Sequence, residues 1–201
     1  MRNRWTHDKL RMIVDGEEAM EHSWPWQVAL GFRGHHFECG GSIVSKRVVV
    51  TAAHCMPDER YPYCVFIGVH YRDEMDDPKE CIEVESVINH PYYNKLTLEN
   101  DVSVLTFKED LPFSDEVSPV CLPAGPIEDL ENNAECYVTG WGMTGPSEDS
   151  YADVLMETAL DIQPPEVCTA TWRNLMFNDI MICAWGKPPK GRPKRVSDAC
   201  V

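Results

Sequence analysis

The 201-residue chain has no apolar run near the roughly 20 residues that a membrane-spanning helix needs, so no helical span is expected within it. Positive charge is scarce. Eighteen Lys and Arg stand against 33 Asp and Glu, for a formal net charge of −15 at pH 7. An excess of that sign argues against nucleic acid and against anionic membrane surfaces as partners. The opening residues, Met1-Arg2-Asn3-Arg4-Trp5-Thr6-His7-Asp8, lack the apolar core of a secretory leader. Helical periodicity is sparse as well.

What the chain does have is an ordinary globular composition, 43% apolar and 25% charged, able to bury a core. Its length suits one large or two small domains. Nine cysteines point to an oxidising compartment, and the odd number leaves at least one without a partner inside the chain. Secretory cysteines beside a leaderless start are read as the mark of a fragment or an incomplete gene product.

From Ile13 onward the pattern is one of short strands with polar, Gly- or Pro-bearing connections. Strands are expected over 27–31, 42–51, 65–68, 80–88 and 102–107, and again over 134–140, 154–162 and 181–184. Such spacing predicts an all-β barrel or sandwich. Residues 111–126, with Pro112, Pro119, Pro123 and Pro126, read as a linker between two halves. The segment 165–175 is expected to open a short helix, because Glu166-Val167-Cys168 follows two prolines.

Thr51-Ala52-Ala53-His54-Cys55 follows the apolar run Val48-Val49-Val50, which sets an imidazole at the end of a buried strand. The small neighbours leave room for a substrate. A lone histidine is most often a surface residue or a satisfied core residue. Asn100-Asp101-Val102 changes the balance, since a buried Asp ahead of alternating apolar residues could hold one ring nitrogen and fix the tautomer.

These motifs carry a resemblance. Ile13-Val14-Asp15-Gly16, Ser23-Trp24-Pro25-Trp26-Gln27-Val28, Cys39-Gly40-Gly41-Ser42, Thr51-Ala52-Ala53-His54-Cys55 and Asn100-Asp101-Val102 stand in order, followed by Cys136-Tyr137-Val138-Thr139-Gly140-Trp141-Gly142, Met181-Ile182-Cys183-Ala184 and Ser197-Asp198-Ala199-Cys200. Together they make the chain resemble a trypsin-like serine endopeptidase from Ile13 to Cys200. The resemblance implies two six-stranded antiparallel β-barrels of chymotrypsin type, the second incomplete in this chain. Residues 1–12 would be a remnant of the pro-segment, 13–110 the first barrel, 111–133 the linker and 134–201 the second barrel, with 13–201 one peptidase domain.

By the same resemblance His54 is the catalytic base and Asp101 its orienting acid. Asp198 is similar to the carboxylate on the floor of the primary specificity pocket, which pairs with a substrate Arg or Lys. Cys39–Cys55 and Cys168–Cys183 are implied disulfides. Cys64 and Cys81 fall outside the common family pattern, but they flank the acidic segment Asp73-Glu74-Met75-Asp76-Asp77-Pro78, which reads as a loop between two strands. Cysteines at similar distances from such a tip can face each other, so an extra disulfide is expected there, and not a metal site. Cys121, Cys136 and Cys200 are left over. In relatives the first bonds to a segment upstream of the activation site, and the other two to cysteines beyond the nucleophile.

The departures matter equally. The nucleophile, in a Gly-Asp-Ser-Gly-Gly-Pro segment, is expected beyond Val201, so residues 1–201 as written should not cleave peptide bonds. Ile13 is the expected new N-terminus on activation, yet Met12 separates it from Arg11, and Asp15 stands where Gly is usual. Val69 occupies the first ligand position of the calcium loop that some members carry, and neither a metal nor a cofactor is expected. The basic stretch from Lys187 to Arg195 reads as a solvated surface loop, and His35-His36 as a solvent-facing pair. The expected partners are protein substrates and protein inhibitors, with a disulfide from Cys121 to an upstream segment, and the expected location is extracellular. The alternative is a non-catalytic relative that uses the same scaffold for binding.

Overall fold

The structure, a computed structural model, describes residues 16–32, 39–77, 79–123, 135–143, 151–171 and 180–186. Among them the first-half strands are β1 (Glu17–Glu18), β2 (Gln27–Phe32), β3 (Cys39–Ser45), β4 (Val48–Thr51), β5 (Tyr63–Ile67), β6 (Ile82–Glu83), β7 (Ser86–Asn89) and β8 (Ser103–Thr106). Strands β9 (Cys136–Gly140), β10 (Met156–Gln163) and β11 (Cys183–Gly186) follow, with one helix, α1 (Pro165–Thr171), between the last two. Pro164 and Pro165 start that helix as the sequence predicts: Pro165 needs no hydrogen-bond partner in the first turn, and the Val167 N–H bonds the Pro164 carbonyl at 3.0 Å.

The first sheet runs β6-β5-β2-β3-β4-β8-β7, every pair antiparallel. Its two edge strands are chain neighbours. The Val84 N–H bonds the Tyr63 carbonyl on β5, while the Glu85 N–H bonds the Thr106 carbonyl on β8. Adjacent residues thus serve opposite edges, and the sheet curls on itself into a barrel. The strand expected over 80–88 is therefore two strands meeting at a corner. The strand expected over 42–51 is also two, a hairpin turning at Lys46-Arg47 with a register shift between Ile43 and Ser45. No Gly, Pro, Asn or Asp marks that turn; Arg47 is held outward by Asp110, 2.6 Å from its Nε.

Period-two alternation sorts the side chains into two cores. Val28 and Leu30 of β2 and Tyr63 and Val65 of β5 point into the barrel with Ile43, Val49, Leu105 and Phe107. Leu111 and Val117, from the stretch read as a linker, join them. The opposite faces of the same strands, Ala29, Cys64 and Phe66, pack against Ala19, Met75, Trp141 and Leu155. Gly41 lets β2, β3 and β4 approach: a Cβ there would meet the Val50 carbonyl at 3.0 Å and Val28 and Val49 at 3.1 Å.

In the second sheet β10 is central, paired with β9 along one edge and with β1 and β11 along the other. Strand β1 therefore leaves the half of the chain it begins and joins the other sheet. Hydrogen bonds stitch the sheets together: Trp141 Nε1 to the His70 carbonyl (2.9 Å), Trp24 Nε1 to Glu157 (2.6 Å) and Thr139 Oγ1 to Gln27 (2.6 Å). The architecture is mostly β-sheet, with a curled barrel beside a second sheet.

Disulfides join Cys39 to Cys55, Cys64 to Cys81 and Cys168 to Cys183, the pairings expected from the sequence. Cys121 and Cys136 are free thiols, the first exposed. The acidic segment is more ordered than a plain loop. Residues Arg72–Asp76 form a 3-10 turn in which Glu74 accepts the N–H groups of His70 and Tyr71, each at 2.8 Å.

Candidate active site

The ladder between β4 and β8 positions the site. Its last pair, Thr51 with Ser103, is where β4 ends and β8 begins. The chain leaving β4 and the chain arriving at β8 therefore lie side by side, which brings His54 and Asp101 together across 47 residues. After Thr51 the backbone makes a 3-10 turn over Ala53–Cys55, with the Cys55 and Met56 N–H groups bonding the Ala52 and Ala53 carbonyls. Ala53 is fully buried beneath it, which a larger side chain could not be without lifting the turn. Two anchors tie the turn to β3: the Cys39–Cys55 disulfide and the Thr51 hydroxyl on the Gly40 carbonyl at 2.7 Å.

Asp101 holds His54 at two points. Oδ1 accepts the His54 backbone N–H at 2.8 Å, and Oδ2 lies 2.6 Å from ring Nδ1. The Asp101 side chain is 14% exposed and that of His54 46%. A carboxylate only accepts, so Nδ1 carries the proton of the neutral ring and Nε2 carries the lone pair, with the Cys55 sulfur, spent in its disulfide, 3.5 Å away. Such an imidazole can take a proton at Nε2 and keep the resulting cation beside a fixed negative charge.

Asn100 prepares Asp101. Its φ of 56° lies in the left-handed region, which Asn tolerates better than most residues, and its Nδ2 bonds the Tyr92 carbonyl at 3.1 Å. Tyr93 approaches from the same loop. Burial first, and then the negative charge of Asp101, push its phenol above the usual tyrosine value, so it stays neutral near the carboxylate. Its hydroxyl is buried without a hydrogen-bond partner. Sequence reasoning passed over Tyr93, because a Tyr-Tyr pair in a polar loop carries no mark of burial.

Cys39, His54 and Cys55 offer ligand atoms within 4.8 Å of one another, but the two sulfurs are spent in a disulfide and have no thiolate to give a metal. Ile13, His35, His36, the basic stretch 187–195, Asp198 and Cys200 lie outside the described residues.

Comparison with known proteins adds the family. The trypsin family model matches residues 13–195. Ovochymase of Halocynthia roretzi is 35% identical over 175 residues, covering 86% of this chain and 11% of that protein. The clotting factor G beta subunit of Tachypleus tridentatus is 34% identical over 201 residues, covering 94% of this chain and 62% of that protein. The chain thus spans less than two thirds of either relative's length. Among solved structures, neuropsin, a serine protease expressed in the limbic system of mouse brain, superposes with a TM-score of 0.74 at 28% identity, covering 92% of this chain and 79% of its own. This chain belongs to the trypsin family of serine proteases, with the chymotrypsin-like fold.

Proposed function

We propose that these residues form part of an extracellular serine endopeptidase that cleaves protein substrates after Arg or Lys. In this reading His54 is the general base, Asp101 orients it, and Asp198 pairs with the substrate cation. The observation that carries it is the two-point hold of Asp101 on His54, which occupies Nδ1 and leaves the lone pair on Nε2. A serine hydroxyl brought to Nε2 gives up its proton as it attacks the peptide carbonyl; the imidazolium, stabilised by Asp101, then passes that proton to the leaving amine. None of the motifs described above supplies the serine itself, which this reading expects in a Gly-Asp-Ser-Gly-Gly-Pro segment. Cleavage that exposes Ile13 as the N-terminus activates the enzyme, and barrels over 13–110 and 134–201, joined by 111–133, make up the domain. The three disulfides support an oxidising, extracellular setting.

The test is a version completed with a family-like C-terminal segment and a cleavable site before Ile13. It should prefer Arg and Lys substrates; Asp198→Ser should abolish that preference while sparing small activated esters, and His54→Ala should remove both activities. A preference for Phe or Leu, unchanged by Asp198→Ser, overturns the pocket assignment. A completed chain that hydrolyses neither amides nor esters overturns the enzyme reading and leaves a binding module.

A further inference from the structure

We infer that the Lys95–Leu96 peptide bond is a processing site for a lysine-directed endopeptidase, and that cutting it disarms the His54–Asp101 pair. Between β7 and β8 the chain makes a narrow excursion closed by the bridge of Asn94 with Glu99. Its tip is Lys95 and Leu96, with Leu96 94% exposed and Lys95 exposed. The Leu96 N–H donates only to the Asn94 side chain at 3.0 Å, so no backbone ladder crosses the bond and the tip can extend into another enzyme's cleft.

The other cations of the described residues are poorer targets. Lys46 and Arg47 reach Asp110, Arg60 is gripped by Asp58, and Arg72 lies over the Tyr151 ring in the 3-10 turn. Lys79 and Lys108 are each followed by a glutamate, Glu80 and Glu109, whose charge opposes a pocket that carries a carboxylate. Lys95 alone joins an unengaged ammonium to an exposed apolar neighbour.

The consequence for Asp101 follows from the backbone between them. Leu98 and Asn100 both have φ of 56°, a left-handed conformation that a bulky L residue such as leucine holds only when its surroundings impose it. Here the closed loop imposes it, through the Leu98 N–H on the Asn94 carbonyl at 2.7 Å and the Asn94 N–H on the Glu99 carbonyl at 3.0 Å. Hydrolysis adds one water across the Lys95–Leu96 amide, leaving a carboxylate on Lys95 and an ammonium on Leu96. Residues 96–100 then become a free arm that relaxes from the left-handed region, and Asp101 Oδ1 leaves the His54 N–H. Among the described residues no disulfide crosses the cut, since two lie before it and one after, so only strand pairing, core packing and hydrogen bonds keep the halves together.

That this is an off-switch rests on the proposed protease reading; the cut and its effect on Asp101 do not. The experiment therefore uses residues 1–201 and a trace of trypsin as probe, with new N-termini read by mass spectrometry and His54 amide exchange read by NMR. Cuts in 187–195 are distinguished by mass. Among the described residues Leu96 should be the first new N-terminus, absent in Lys95→Gln, and the His54 amide should exchange at least about tenfold faster in the nicked protein than in Lys95→Gln treated alike. A first cut after Arg47 or Arg60 overturns the site, and unchanged His54 exchange after nicking overturns the disarming. Failure of the completed enzyme to hydrolyse any substrate would refute the protease reading and touch neither result.

Discussion

Replacing both Cys64 and Cys81 with alanine should cost about 4 kcal/mol, and the structure supplies the parts of that figure. The disulfide closes a loop with a sequence separation of 17. On the chain-entropy account, −2.1 − 1.5R ln n with that separation comes to about −10 cal/mol/K, or about 3 kcal/mol at 25 °C. Cys64 is 3% exposed and packs beside Phe66, Met75 and Trp141, so losing its sulfur removes one more buried heavy atom, worth about 1 kcal/mol. The acids of the loop, Asp73, Glu74, Asp76 and Asp77, repel one another and add to the tendency to open. For a chain of this size each kcal/mol moves Tm by about 2–4 °C, so the midpoint should fall by about 8–16 °C. Thermal unfolding of the parent and the double variant, followed by circular dichroism under identical conditions, measures it. A fall of less than about 3 °C, below 1 kcal/mol or so, would refute the reasoning. It would mean that the Glu74 turn and the β5–β6 pairs, Cys64 with Glu83 and Val65 with Ile82, hold the segment without the covalent link.

In the completed enzyme Asp101→Asn should lower kcat by about 10⁴ at neutral pH with little change in Tm, since an amide can hold the ring in the wrong tautomer; steady-state kinetics beside a melting curve checks both. Trp141→Ala, at a fully buried site in the second core, should cost about 3–5 kcal/mol in denaturant unfolding. Trp141→Phe should cost only about 1–2 kcal/mol, because the His70 carbonyl that loses the indole N–H still accepts from the Leu155 N–H at 2.9 Å. Asp58 should titrate at about 2 by carboxyl NMR, held down by hydrogen bonds from the Arg60 side chain and backbone, and Arg60→Ala should move it back toward the ordinary value. Because the folded value is depressed, whatever stability the pair adds is present above the unfolded carboxylate range and lost as pH falls toward 2; both groups are exposed, so salt weakens it.

Local chemistry was enough to read much of this protein. Alternating apolar residues marked most strands, since one face of each must leave water; the position of Cys64 and Cys81 about a loop marked one covalent link, and the family resemblance implied the other two. The motif order around His54 and Asp101 carried the family, because small residues, a disulfide and a carboxylate are what a held imidazole requires. Local pattern could not say where a strand goes. The turn at Lys46-Arg47 and the corner at Val84-Glu85 carry no turn residues, and the barrel supplies their reason: one is held outward by Asp110, and the other bonds both edges of the sheet. Strand β1 joined β10 across the molecule, in a register of Glu17 with Glu157 and Glu18 with Met156 that nothing in its own residues announced. Above all, His54 and Asp101 meet because Thr51 pairs with Ser103. That pairing is a property of two strands far apart in sequence, and only closing the barrel determines it.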